Sequence, residues 1–105
     1  MLELTKETFE DEVLKAQETV FVDFYSESCV PCQALIPFVH GLEEKYGPVI
    51  KVTSLNILKA RRLAISQKVL GVPVIAIYRG GEKLEELVKD DATEKNIEAM
   101  VARYL

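Results

Sequence analysis

Cys29 and Cys32 are the only cysteines among 105 residues, and they stand three positions apart in Cys29-Val30-Pro31-Cys32, shortly after the apolar run Val20-Phe21-Val22-Asp23-Phe24-Tyr25. This spacing suits a dithiol that opens and closes. A strand that delivers the first cysteine to the start of a helix presents its sulfur to unpaired backbone N–H groups and to the positive end of the helix dipole, both of which favour thiolate. Cys29 is therefore read as the nucleophile. Cys32, one turn further in on the same helix face, is placed to attack a mixed disulfide formed at Cys29 and release the product. Zinc is a poor alternative: its structural sites want four ligands, only His40 adds an imidazole, and no second pair stands at ligand spacing. A purely structural bridge across so short a loop would constrain the unfolded chain less than a long-loop one. One further residue bears on the chemistry. Asp23 interrupts the apolar run, and burial penalises its charged form, so it is expected to hold a proton near neutrality.

The rest of the composition bounds what surrounds this dithiol. With 49% hydrophobic and 29% charged residues, the chain has the material for one ordinary core and no mark of disorder. A net charge of −4 and a pI near 5.0 argue against nucleic acid, which calls for a basic face. The cluster Lys59, Arg61 and Arg62 reads as a solvated helix face. Met1 to Glu7 lacks the basic segment and apolar core of a secretory signal, and no apolar stretch reaches spanning length. The expectation is a cytoplasmic protein without membrane contact, in a compartment where paired cysteines are more often catalytic than structural.

Strand and helix signals alternate along the chain, as in an α/β sandwich. A leading strand is expected at Leu2 to Leu4, then a helix carrying Phe9, Val13 and Ala16, with acidic Glu7, Glu10, Asp11 and Glu12 early in it. Thr19 to Tyr25 reads as a central strand buried on both faces. A second helix is expected from Cys29 to about Tyr46, kinked at Pro37 and stopped by Gly47-Pro48. Val49 to Ile57 is a further strand and Lys59 to Val69 a helix ending near Leu70 and Gly71, with Leu63 and Ala64 toward the sheet and Leu58 packing in the core or at the helix entry. Val74 to Tyr78 and Lys83 to Val88 form a hairpin around Arg79-Gly80-Gly81-Glu82. A closing helix carries Ile97, Met100, Val101 and Tyr104, with Asp91 or Thr93 as N-cap. The order is βαβαβαββα.

Val22-Asp23-Phe24 before the dithiol, Cys29-x-Pro31-Cys32, Pro37, Leu55-Asn56-Ile57, Gly71-Val72-Pro73 and the Gly81-Glu82 turn occur in this order, and with them the chain resembles the thioredoxin family over essentially its full length. The resemblance implies an α/β thioredoxin fold, a central mixed five-stranded sheet flanked by four helices, as a single domain over residues 1–105. It implies a protein-disulfide reductase needing no bound cofactor or metal, supplied with electrons by a thioredoxin reductase-type donor and acting on protein disulfides, with a monomer expected. Pro73 is implied to be a cis proline facing the dithiol, with the backbone of Val72 beside Cys29 where an extended substrate segment would pair. Asp23 is implied to be the acid/base partner of Cys32, acting through water.

The departures from the family pattern are specific. Ser28 and Val30 stand where tryptophan and glycine are usual, Tyr25 where the other tryptophan is usual, and Gln33 where a lysine follows the second cysteine. Asp90 and Asp91 replace a glycine and a small apolar residue near the expected substrate loop, and Ser54 replaces the lysine expected beside Asp23. The substrate rim implied by the alignment is thus Ser28, Val30, Pro31, Val72, Asp90 and Asp91, with clients and a reductase that differ from those of common thioredoxins. A small residue before Cys-Val-Pro-Cys is similar to thioredoxins of amino-acid-fermenting anaerobic bacteria that serve glycine-reductase-type systems. Two other functions remain open at this level: a disulfide oxidase or isomerase of higher potential, and a docking module that keeps the fold without the catalysis. His40, beside Gly41, is read as an exposed helix residue, and Met100 as core filling.

Overall fold

The computed structural model describes residues 1–105. Five strands form one sheet in the order β1-β3-β2-β4-β5, with β1 at Leu2–Leu4, β2 at Thr19–Tyr25, β3 at Ile50–Asn56, β4 at Val74–Arg79 and β5 at Glu82–Val88. The β1, β3 and β2 strands run parallel, and β4 and β5 are antiparallel additions. Three α-helices, α1 at Val30–Tyr46, α2 at Arg61–Ser66 and α3 at Glu94–Ala102, join a π-helical segment at Glu10–Leu14. None is long and apolar enough to cross a membrane.

Alternation along the central strands sorts the core into two layers, since successive side chains of a strand leave opposite faces. Val20, Val22 and Phe24 pack with Val13 of the π-helical segment, with Phe9 at its N-cap and with Ala64 of α2. Phe21 lies in the opposite layer, with Leu35, Val39 and Leu42 of α1 and Ile97, Met100 and Val101 of α3. Both faces of β2 are covered, and this is why its sequence reads as an almost unbroken apolar run. Asp23 is two residues from Phe21 and so shares the face covered by α1.

Several boundaries differ from expectation, each for a local reason. The first helix is a single π-helical stretch, closed by the Lys15 N–H on Glu10 O at 2.8 Å, and it stops short of Ala16. The third strand ends at Asn56, whose Oδ1 accepts the Leu58 N–H and turns Ile57–Lys59 into a 3-10 turn, so α2 starts only at Arg61. Leu58 is 47% exposed and does not pack into the core. At its other end α2 stops at Ser66, with Lys68 at φ 62°. Helix α1 keeps its expected bounds, with Cys29 as N-cap and Pro37 inside it. Of the two residues expected at the start of α3, Thr93 is the cap, accepting the Asn96 N–H, while Asp91 closes a 3-10 turn at Lys89–Asp91.

The register brings four connections to one edge of the sheet. Tyr25 at the end of β2 pairs with Asn56 at the end of β3, and Phe24 pairs with Val74 at the start of β4. Val74 in turn pairs with Val88 at the end of β5. The segments 26–32, 57–60, 71–73 and 89–91 therefore emerge side by side, although they are far apart in the chain.

Candidate active site

Cys29 is the N-cap of α1, with φ −85° and ψ 107°, and its Sγ accepts the Cys32 N–H at 3.2 Å. The capping geometry follows from the sequence. Pro31 lies in the first turn, where its missing N–H costs nothing and its fixed φ favours the helix. The loop that delivers Cys29 is tied down as well: the Cys29 N–H and the Gln33 side chain both donate to Ser26 O, at 3.3 and 3.2 Å. Ser28 reaches Ser26 through their hydroxyls at 3.4 Å. The two sulfurs are bonded to each other, with Cα atoms 5.2 Å apart. Cys32 is buried and Cys29 half-exposed, so only the first sulfur faces the outside, while Val30 beside it is 77% exposed.

The Val72–Pro73 peptide is cis, Pro73 is buried, and Val72 is half-buried against the core layer below. Asp90 and Asp91 are exposed in the 3-10 turn that follows β5 at the same edge. Between them and the proline lies a residue that the sequence did not point to. Lys89 adopts φ 52°, its N–H donates to Pro73 O at 2.7 Å, and its stem lies across Gly71, where a Cβ would come within 2.5 Å of the lysine Cε. The acidic rim thus carries one cation set directly on the proline loop. Nothing local in the sequence marks Lys89, because its placement depends on the β4–β5 pairing.

Asp23 is 4% exposed, and its Oδ1 has no hydrogen-bond partner in the protein. Burial, and secondly the charge of Glu3, push its carboxyl up from 3.8 to about 7. It opens onto a cavity of about 290 Å³ whose wall includes Glu3, Tyr25, Glu27, Gln33, His40 and Ser54. Gln33 adjoins Cys32, so the cavity reaches the first turn of α1. Ser54 is the strand neighbour of Asp23, as the alignment implied, but it turns its hydroxyl to Glu3 Oε1 at 2.7 Å. The Tyr25 hydroxyl donates to Glu3 Oε2 at 2.9 Å and is pushed up by burial and by that bond. His40 is exposed at the cavity wall.

The predicted residues thus form two groups. The dithiol, Ser28, Val30 and Pro31 share the start of α1, with the cis proline loop and Lys89–Asp91 emerging at the same edge. Asp23 sits behind them in its cavity. This arrangement offers one accessible sulfur at a helix N-terminus, a second one buried behind it, and a protonatable group held out of bulk water.

A family model described as Thioredoxin matches residues 1–103. The chain is 54% identical over 105 residues to a thioredoxin of Acetoanaerobium sticklandii, covering all of both chains. It is 50% identical over 105 residues to a thioredoxin of Peptoclostridium acidaminophilum, covering all of this chain and 96% of that one. A 44-residue thioredoxin sequence from Tissierella creatinophila matches 42% of the chain at 64% identity and is itself covered in full.

Proposed function

The chain belongs to the thioredoxin family and is a thiol-disulfide oxidoreductase, and from that premise we propose how its residues divide the work. The Cys29 thiolate attacks one sulfur of a protein disulfide, expelling the other client sulfur as a thiolate and leaving a mixed disulfide. The Cys32 thiol loses its proton to the ionised form of Asp23 and attacks the Cys29 sulfur, so that the second client sulfur leaves and the Cys29–Cys32 bond closes. Two electrons pass to the client. A reductase returns them to the dithiol, as is general for thioredoxins, and the protein works as a single domain and a monomer in the cytoplasm.

The client binds as an extended segment over Ser28, Val30, Pro31 and Val72, with Pro73 holding the Val72 backbone in position and Asp90 and Asp91 at the rim. These acids favour a client and a reductase with basic surfaces at the contact. The observation that supports the reading best is the asymmetry of the two sulfurs, one half-exposed at the helix N-cap and the other buried behind it.

That asymmetry is tested by single substitution. With a disulfide-containing protein as client, reduced Cys32→Ser should accumulate a one-to-one mixed disulfide through Cys29, visible by intact mass and reversed by dithiothreitol. Cys29→Ser should form none. A stable adduct through Cys32 in the Cys29→Ser protein would overturn the assignment of nucleophile and resolving thiol.

A further inference from the structure

The β1–β3–β2 ladder sets Glu3, Ser54 and Asp23 in one row across three strands, since Ser54 pairs with Glu3 on one side and with Asp23 on the other. At ordinary strand spacing the two acids start about 10 Å apart. All three side chains leave the sheet on the α1 face, as Leu4 next to Glu3 packs in the opposite layer. Glu3 does not swing freely despite its place on an edge strand. Each of its oxygens accepts a hydroxyl hydrogen bond, Oε1 from Ser54 and Oε2 from Tyr25, and this fixes the carboxylate at the wall of the cavity that holds Asp23.

The amino group of Met1, which also lines the cavity, is paired with Glu43 at 2.8 Å. Of the other groups facing Asp23, Glu27 is engaged by the Asn56 side chain at 3.3 Å. From α1 come His40 and the uncharged Gln33 and Ile36, and β4 presents only Ile75. A carboxylate held in place beside a buried carboxyl disfavours a second negative charge.

We propose that Glu3 is a positioning residue for disulfide exchange: its carboxylate, clamped by Ser54 and Tyr25 at the cavity wall, adds a fixed negative charge to the burial of Asp23 and so helps set the pH above which Asp23 can take the Cys32 proton. Glu3 touches neither sulfur and acts only through Asp23, so the inference rests on the acid/base role given to Asp23 above. Ser54 and Tyr25 hold the charge in place rather than take part in proton transfer.

The Asp23 carboxyl is followed directly by 13C NMR with labelled aspartate, in the parent protein and in Glu3→Gln, which keeps the shape and can still hydrogen-bond both hydroxyls. The Asp23 midpoint should fall by about half a pH unit in Glu3→Gln. Because Glu3 reaches solvent, salt should lower the midpoint in the parent and leave it nearly fixed in the variant. Glu27→Gln, on the same cavity wall, should shift it less. An unchanged midpoint in Glu3→Gln, or an equal fall in Glu27→Gln, overturns the inference. The rate of mixed-disulfide resolution against pH separates this from the role of Asp23. A pH limb that persists in Asp23→Asn removes the acid/base reading. A limb lost in Asp23→Asn and unmoved in Glu3→Gln removes only the proposal for Glu3.

Discussion

The acid/base role proposed for Asp23 comes with a cost to the fold, and the sign of that cost can be worked out. Its carboxyl titrates at about 7 in the folded protein against 3.8 as the ordinary value, so between these the folded state binds more protons than the unfolded one. Stability contributed by this group therefore falls as pH rises from about 4, and the loss is complete above about 7, where it approaches about 4 kcal/mol. Asp23→Asn, which has no charge to desolvate, should gain on the parent with rising pH. Urea unfolding of the oxidised proteins should give a difference several kcal/mol more favourable to the variant at about pH 8 than at about pH 4. A difference independent of pH would mean that Asp23 titrates in the folded protein as it does unfolded. The residue itself was legible in the sequence because one carboxylate interrupts a run whose five other positions are apolar or aromatic. Glu3 was not, for its connection to Asp23 passes through two strand pairings that bring together residues 3, 54 and 23.

At the scale of elements, the sequence predicted every strand and the order of the helices, and it misplaced the ends where side chains rather than glycine or proline set them. Helix α2 is the clearest instance. Its expected stop was Leu70-Gly71, where glycine stands, yet the chain leaves the helix at Ser66. Lys68 takes the left-handed conformation at φ 62°, its N–H bonding Ile65 O and the Val69 N–H bonding Ala64 O, both at 2.9 Å. This is the double hydrogen bond of a Schellman cap, completed by Ala64 and Val69 in one apolar cluster. A lysine there is sterically disfavoured by about 1–2 kcal/mol, whereas glycine loses somewhat more unfolded-chain entropy. Lys68 is exposed. Lys68→Gly should therefore raise stability by about 0.5 kcal/mol, seen as a higher denaturation midpoint at unchanged slope. A lower midpoint would show that the lysine side chain contributes more than its backbone costs. The start of α1 was readable for the opposite reason: Cys29, Pro31 and a following apolar stripe give a local signal that needs no tertiary contact.

The molecule as a whole decides the direction of electron flow. A strongly oxidising dithiol requires its reduced form to be stabilised, above all through a thiolate held by nearby positive groups. Here the N-terminus of α1 and the Cys32 N–H supply that stabilisation, while Gln33 follows the second cysteine and brings no charge. At the same edge of the sheet, Lys89 is accompanied by Asp90 and Asp91, and the chain carries a net charge of −4. Added negative charge on Cys29 gains little from such surroundings. The Cys29/Cys32 couple should accordingly lie near about −270 mV, where a reductant works, and far from about −120 mV, where the reduced form is strongly favoured. These limits differ by about 7 kcal/mol for a two-electron couple, far beyond the error of equilibration against a defined dithiol buffer at neutral pH. A value at the upper limit would mean that the fold stabilises the Cys29 thiolate through contacts other than the helix terminus. Electrons would then flow from client thiols into this protein, and Cys29–Cys32 would act by making disulfides rather than by breaking them.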